Sequence, residues 1–485
     1  MSAALPVTLR AQRACARCRY RKQHCDKAVP SCSRCASKSL WCDYRAPIVT
    51  DVPLGVVSGG VDVRPSLIVE RCTSCDGDIT VLGSTLLLQA WQQPHMGDNE
   101  GADVYLASLV NCIFKEIRSD KVEAHARYFA QIHPWFPILH EPTFTQHFNG
   151  IGVRSVQSRE FALLLLCTHL ISSAPFCHPE HIFPPRLYVA LKRGFFELQM
   201  SISVWHVELL QAGLLIALFE CAHGLHHAAY LTLSSCLALA KVSHADCIEM
   251  LKTHVSAADA TTIACWAILI LDRVIWLSEP LHPFSLLIGT VPTSAASFRF
   301  LEEQSAASNN GDAELNKFRT LAHVSACLCQ AANGERDKER VNSSSDPFES
   351  IDSEYTSLLE TMLRLSHSRS AAYLCDATAL VLSALSTLYA THQSAHGDTV
   401  RIDVKERQRH RSIMTMSRNM IQATRAMTTG SNDAHLSFIG LLATLRAALP
   451  LGLNAKDIMG IDYRGDIDHV IKYVSQRWMF GKTFA

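Results

Sequence analysis

A chain of 485 residues that is 48% hydrophobic and 19% charged can bury at least one large core and is too apolar for global disorder. Its net charge is zero, but residues 1–45 hold ten basic side chains against two acids, so this head is +8 and the remainder −8. That asymmetry reads as a polyanion-binding head on a mildly acidic body. No apolar secretory stretch follows the N-terminus, and the longest apolar run, Ile263 to Leu271, stops at Asp272, short of a membrane span. A soluble intracellular protein with no membrane partner is expected, its 18 cysteines serving as thiols or metal ligands and not as disulfides.

The first element in chain order is a cysteine array. Cys15, Cys18 and Cys25 are spaced C-x2-C-x6-C, and Cys32, Cys35 and Cys42 repeat that spacing 17 residues later. Arg17 and Arg34, Arg21 and Lys38, and Asp26 and Asp43 obey the same shift. The pattern reads as one unit used twice, a C-x2-C turn followed by a short helix. Zinc takes four ligands in a tetrahedron. Six thiolates fill the eight positions of two zinc ions if two cysteines each bridge both metals. The array has too few large apolar side chains for a core, so metal binding must supply its folding free energy.

The stretch A-C-A-R-C-R-Y-R-K-Q-H-C-D (14–26), Pro30, C-S-R-C (32–35) and W-C-D-Y (41–44) resembles the fungal zinc binuclear cluster (Zn2Cys6) transcription factors. The resemblance implies two Zn2+ ions, with Cys15 and Cys32 bridging, Cys18 and Cys25 completing one site, and Cys35 and Cys42 the other. It implies double-stranded DNA as partner, with Lys22, and Arg21 beside it, reading the guanines of CGG-type triplets in the major groove. Arg17, Arg19, Arg34 and Lys38 suit phosphate contacts, which set register and salt dependence. At position 24 the family usually has a cation; here it is His24, mostly neutral near pH 7, which weakens that contact or makes it pH-sensitive.

Residues 47–105 read as a flexible linker, with V-P-L-G-V-V-S-G-G and Q-Q-P-H-M-G-D-N-E-G as loop signals. Only V-L-G-S-T-L-L-L-Q-A-W (81–91) suggests a helix there. No sustained heptad follows the head, so homodimerisation has no clear coiled coil to use. Cys72 and Cys75 form a further C-x2-C without partners at ligand spacing and read as plain linker thiols.

From about residue 120 helical periods dominate. Helices are expected over 161–174, 204–224 (ending at Gly224), 227–245 and 259–280, where Pro280 stops the last. The stretches Y-F-x3-H-P-x-F-P-I-L-H-x-P-T-F (128–144), L-Q-A-x-L-L-I-A-L-F-E-x2-H-G (210–224), A-A-Y-L (228–231) and W-A-I-x-I-L-D-R (266–273) resemble the fungal-specific transcription factor regulatory domain. The histidines of C-A-H-G-L-H-H (221–227) read as packed side chains rather than a metal site, and Asp272–Arg273 as an internal ion pair joining helices. Residues 301–346 read as a polar insertion. Within 346–360 a capping-box start for an amphipathic helix outweighs an acidic activation segment. Further helices are expected over 370–391, 403–427 and 434–449.

The expected fold class is mainly α: a Zn2Cys6 module (10–46), a linker (47–105), a helical domain (106–300), the insertion (301–346) and a C-terminal helical part (347–485). No enzyme motif is present, and no catalytic residue is assigned. The resemblance implies a nuclear, RNA polymerase II-linked regulator of a pathway or gene cluster, more often an activator, meeting co-regulators and a small-molecule effector. Two other readings stand beside it: a helical small-molecule-binding or enzymatic body with an appended zinc module, and a zinc-stabilised protein-interaction module.

Overall fold

The computed structural model describes residues 14, 18, 23–28, 32–38, 78–92, 100–149, 158–173, 185–200, 205–253, 258–278, 285–288, 313–328, 347–368, 375–396, 404–429, 436–459, 464–476 and 478. The chain divides into two compact units, Met1–Arg71 and Cys72–Ala485. Among the described residues there is no β-strand.

The first unit contains the short helix α1 (Ser33–Ala36). In the second, α2 (Val81–Gln92), α3 (Glu100–Glu116), α4 (Lys121–Gln131), α5 (Glu141–Asn149), α6 (Arg159–Ser172), α7 (Arg186–Met200), α8 (Val207–Ala222), α9 (His226–Val242) and α10 (Ala260–Ser278) come first. A 3-10 turn, Glu249–Lys252, lies between α9 and α10. Then follow α11 (Ala313–Cys327), α12 (Pro347–Ser368), α13 (Cys375–His396), α14 (Val404–Thr429), α15 (Phe438–Met459) and α16 (Arg464–Ser475).

Helix α8 is apolar on every side, and each residue from Leu209 to Ala222 is buried, as an all-round hydrophobic helix must be. It packs against α6, α7, α9 and α10. Helix α10 in turn touches α11, α13 and α15, so it joins this group to the C-terminal one, in which α13 lies between α12, α14 and α15. Helix α10 is long and apolar enough on average to match a membrane span, but 78% of its apolar window is buried inside the fold, and its unbroken apolar run does stop at Asp272. Asp272 and Arg273 are themselves buried and paired within the helix. Asp272 also accepts from the backbone N–H groups of Leu287 (3.1 Å) and Ile288 (3.2 Å), and Arg273 Nε donates to the Ser325 carbonyl at 3.0 Å. The internal pair therefore ties α10 to α11 and to the 285–288 segment.

Local chemistry sets the helix ends. Ser158 Oγ accepts from Phe161 N at 3.1 Å to start α6, and Asp120 Oδ1 accepts from Val122 N at 3.1 Å to start α4. Helices α3, α8 and α9 close alike: Arg118 (φ 51°), Gly224 (φ 74°) and His244 (φ 59°) take the left-handed conformation. The next residue then bonds back to a carbonyl five residues earlier: Ser119 to Phe114 (3.0 Å), Leu225 to Glu220 (2.8 Å) and Ala245 to Ala240 (3.0 Å).

Two segments depart from the sequence expectation. Within the expected linker, Trp91 of α2 is buried, Asp78 accepts from the backbone N–H groups of Arg186 and Leu187 at 3.0 Å each, and α2 packs on α7. Within the expected insertion, α11 places Phe318, Leu321, Ala322 and Val324 in the core; these apolar positions recur at helical spacing inside an otherwise polar stretch. Helix α12 buries Ile351, Tyr355, Leu358 and Leu359, which makes it an ordinary packed amphipathic helix.

Candidate metal centre

The described part of the first unit is built around cysteines. Cys18 sits on a helical turn, closed by Gln23 N–H donating to the Cys18 carbonyl at 2.8 Å. The chain then runs without regular structure through Cys25 and turns at Lys27, which takes φ 62°. Cys32 is extended (φ −66°, ψ 147°) and caps α1, its Sγ accepting from Cys35 N–H at 3.4 Å. Cys18 and Cys35, equivalent under the 17-residue repeat, thus both lie on helical turns.

The Sγ atoms of Cys18, Cys25 and Cys32 all lie within 4.8 Å of one another, and all three residues are buried. Cys18 Sγ and Cys32 Sγ are 3.8 Å apart. Zinc–sulfur bonds of ~2.3 Å in a tetrahedron put the sulfurs ~3.8 Å apart, so the donor set fits that metal in spacing and in softness. Cys35 is also buried and packs in the same small cluster. When bound, zinc would hold these sulfurs as thiolates and cross-link the two halves. Among the described residues no other group of three or more metal-ligating side chains converges. The C-A-H-G-L-H-H stretch holds none: His223 Nδ1 bonds its own helix at the Phe219 carbonyl (2.7 Å) and stacks on the Phe219 ring.

The carboxylate beside the cluster has a different task. Asp26 accepts from the Ser33 backbone N–H, at 3.1 Å through Oδ1 and 3.2 Å through Oδ2, and from the Ser33 hydroxyl. The Ser33 hydroxyl, chiefly, holds the Asp26 carboxyl below its ordinary value. The sequence pattern paired Asp26 with Asp43 but left this contact unseen; the clue was an acid following the third cysteine and a serine following the fourth.

Of the cations expected at DNA, Arg34 on α1 and Lys38 just beyond it are exposed, and so is His24. None of the three enters the sulfur cluster. Cys15, Cys42, Arg17, Arg19, Arg21 and Lys22 lie outside the described residues, as do Cys72 and Cys75.

Comparison with known proteins bears on this geometry. Residues 13–49 match the fungal Zn(2)-Cys(6) binuclear cluster domain. The chain is also similar to the transcription factor BOA15 of Botryotinia fuckeliana (strain B05.10), 29% identical over 119 residues. That alignment takes in 24% of this chain and 63% of the relative's length. No solved structure matches. The N-terminus therefore carries a fungal Zn(2)-Cys(6) cluster domain, which binds two zinc ions.

Proposed function

We propose that the chain is a zinc-dependent, sequence-specific DNA-binding transcription factor, in which residues 10–46 dock on CGG-type triplets and the helical body regulates that docking. The observation that carries the reading is the buried Cys18–Cys25–Cys32 sulfur cluster inside the matched segment, in a head of charge +8. The excess cations of this metal-stapled scaffold suit phosphate and guanine acceptors. Lys22 is assigned base reading with Arg21 beside it, and Arg17, Arg19, Arg34, Lys38 and His24 the backbone. The six ligands are Cys15, Cys18, Cys25, Cys32, Cys35 and Cys42, with Cys15 and Cys32 shared. A nuclear location, action with RNA polymerase II and an activating role follow from the same reading, which is supported by the relative's description as a transcription factor.

Gel shifts with the full chain on CGG-containing and scrambled duplexes at fixed salt test it. Lys22→Ala should weaken CGG binding by about 10- to 100-fold, the discrimination carried by one good base contact, and leave scrambled duplex nearly unchanged. Equal loss on both duplexes would leave only charge attraction and would overturn the sequence-specific reading.

A further inference from the structure

Two free thiols meet inside the second unit. Cys247 lies just beyond α9 and Cys265 in the second turn of α10, and the two side chains share a hydrogen bond. Both are buried, Cys265 completely. Their neighbours hold them in register. Thr262 Oγ1 lies 3.4 Å from Met250 Sδ, and Trp266 Nε1 donates to the Met250 carbonyl at 3.0 Å. Positions 262, 265 and 266 share one face of α10, so the segment after α9 is laid along that face. From the other side, Arg319 Nη2 of α11 donates to the Leu251 carbonyl at 3.0 Å.

The two thiols differ in access and in protonation. A cavity of about 390 Å³ opens where α9 ends, and Cys247 is among the residues that line it, whereas Cys265 is not. The hydrogen bond to Cys247 above all, and then burial, raise the pKa of the Cys265 thiol. Cys265 therefore stays protonated and donates toward the Cys247 sulfur, which favours Cys247 as the first of the two to act as a thiolate. An exposed-side sulfur backed by a second thiol in contact is the arrangement of an attacked and a resolving cysteine.

We propose that Cys247 and Cys265 are a reversible oxidation site, at which hydrogen peroxide converts the pair to a disulfide. The Cys247 sulfur attacks one peroxide oxygen; an S–O bond forms, the O–O bond breaks, and the released hydroxide takes up the thiol proton and leaves as water. The Cys265 sulfur then attacks the sulfenic sulfur of Cys247. The S–S bond forms, the S–O bond breaks, and the Cys265 proton leaves with the oxygen as a second water. Two thiols lose two electrons, and one peroxide gains them. The bond would fasten the turn after α9 covalently to α10. This goes beyond DNA recognition and stands whether or not the head reads CGG triplets, because its test involves no DNA.

Peptide mapping of the zinc-loaded full chain decides the matter. The folded chain is treated with hydrogen peroxide, its remaining thiols are alkylated under denaturing conditions, and it is cut with trypsin without reduction. Cys247 and Cys265 fall in separate tryptic peptides, 242–252 and 253–273, each with a single cysteine. Mass spectrometry should find these two peptides joined, lighter by two hydrogens than their sum, and dithiothreitol should part them. The joined species should dominate in the folded chain and be lost when oxidation is carried out in concentrated urea. Cys265→Ala should leave Cys247 as a sulfenic acid that dimedone captures, and Cys247→Ala should leave Cys265 reduced. If either variant fails to fold, the comparison of folded and unfolded wild type decides alone. No joined peptide from the folded chain, or an equal yield from the unfolded one, would overturn the proposal.

Discussion

Asp26 and Ser33 are joined by three hydrogen bonds, two from the Ser33 backbone N–H and one from its hydroxyl to a single carboxylate. The bond partners follow Cys25 and Cys32, so the contact clamps the exit of the first cysteine triplet onto the start of the second. It also satisfies an N–H at the opening turn of α1, which has no partner inside so short a helix. Asp26→Ala should release zinc at a lower chelator concentration than wild type, with Asp26→Asn in between because one acceptor oxygen remains. Superimposable release curves for wild type and Asp26→Ala would show that sulfur ligation alone orders this segment.

Ligand substitution separates shared from unshared sulfurs. If Cys32 bridges both metals, Cys32→Ala should leave well under one zinc per chain. Cys25→Ala, with one site disturbed, should retain about one of the two that the tetrahedral count requires. Metal analysis of the purified full chain against protein concentration reads this directly, and the opposite ranking would move the bridge off Cys32.

Trp91 lies across Gly194. A Cβ placed on Gly194 would fall 2.5 Å from Trp91 Cδ1 and Nε1, and Trp91 is fully buried. Gly194→Ala therefore overpacks the α2–α7 contact and should lower the stability of the body by about 1–3 kcal/mol, despite alanine's better helix propensity. Urea unfolding followed by far-UV circular dichroism checks it; an unchanged midpoint would mean that α2 yields without cost.

Removing Asp272 leaves Arg273 buried with its charge uncompensated. Asp272→Ala should cost about 3–5 kcal/mol, more than Gly194→Ala, and should also free the 285–288 segment. Hydrogen exchange at the Leu287 and Ile288 amides should rise with the loss. Protection that persists in the variant would show that another contact holds that segment.

His169 is buried, its Nδ1 has no hydrogen-bond partner, and its ring meets Phe114 edge-on. Burial, with the Arg127 charge adding to it, pushes its pKa down from 6.5 to about 4. The unfolded chain binds this proton more readily than the folded one, so stability is complete above pH 6.5 and falls as pH drops from 6.5 to about 4. The loss from this one residue approaches ~3 kcal/mol at the bottom of that window. Thermal midpoints across pH 4–7 should fall on the acid side, and His169→Gln should show a shallower fall; equal slopes would assign the dependence to other groups.

Much was legible in the sequence because it rests on spacing along the chain. The cysteine intervals foretold a two-zinc module, Gly224 foretold the end of α8, and the apolar runs foretold α6, α8, α9 and α10 to within a few residues. A metal site read from C-x2-C-x6-C and a buried helix read from period need no knowledge of what comes from far away. Other features depend on contacts across many residues. Val81–Gln92 looked like a lone helix in a linker until Asp78 met Arg186 and Leu187, over 100 positions on, and Trp91 met Gly194. Asp272–Arg273 could be named as an ion pair, but only packing showed that it grips Leu287, Ile288 and Ser325. Pattern in one dimension determines which groups must be buried or ligated; the folded chain decides which distant partner buries them, because burial and hydrogen bonding are satisfied in space and not in order.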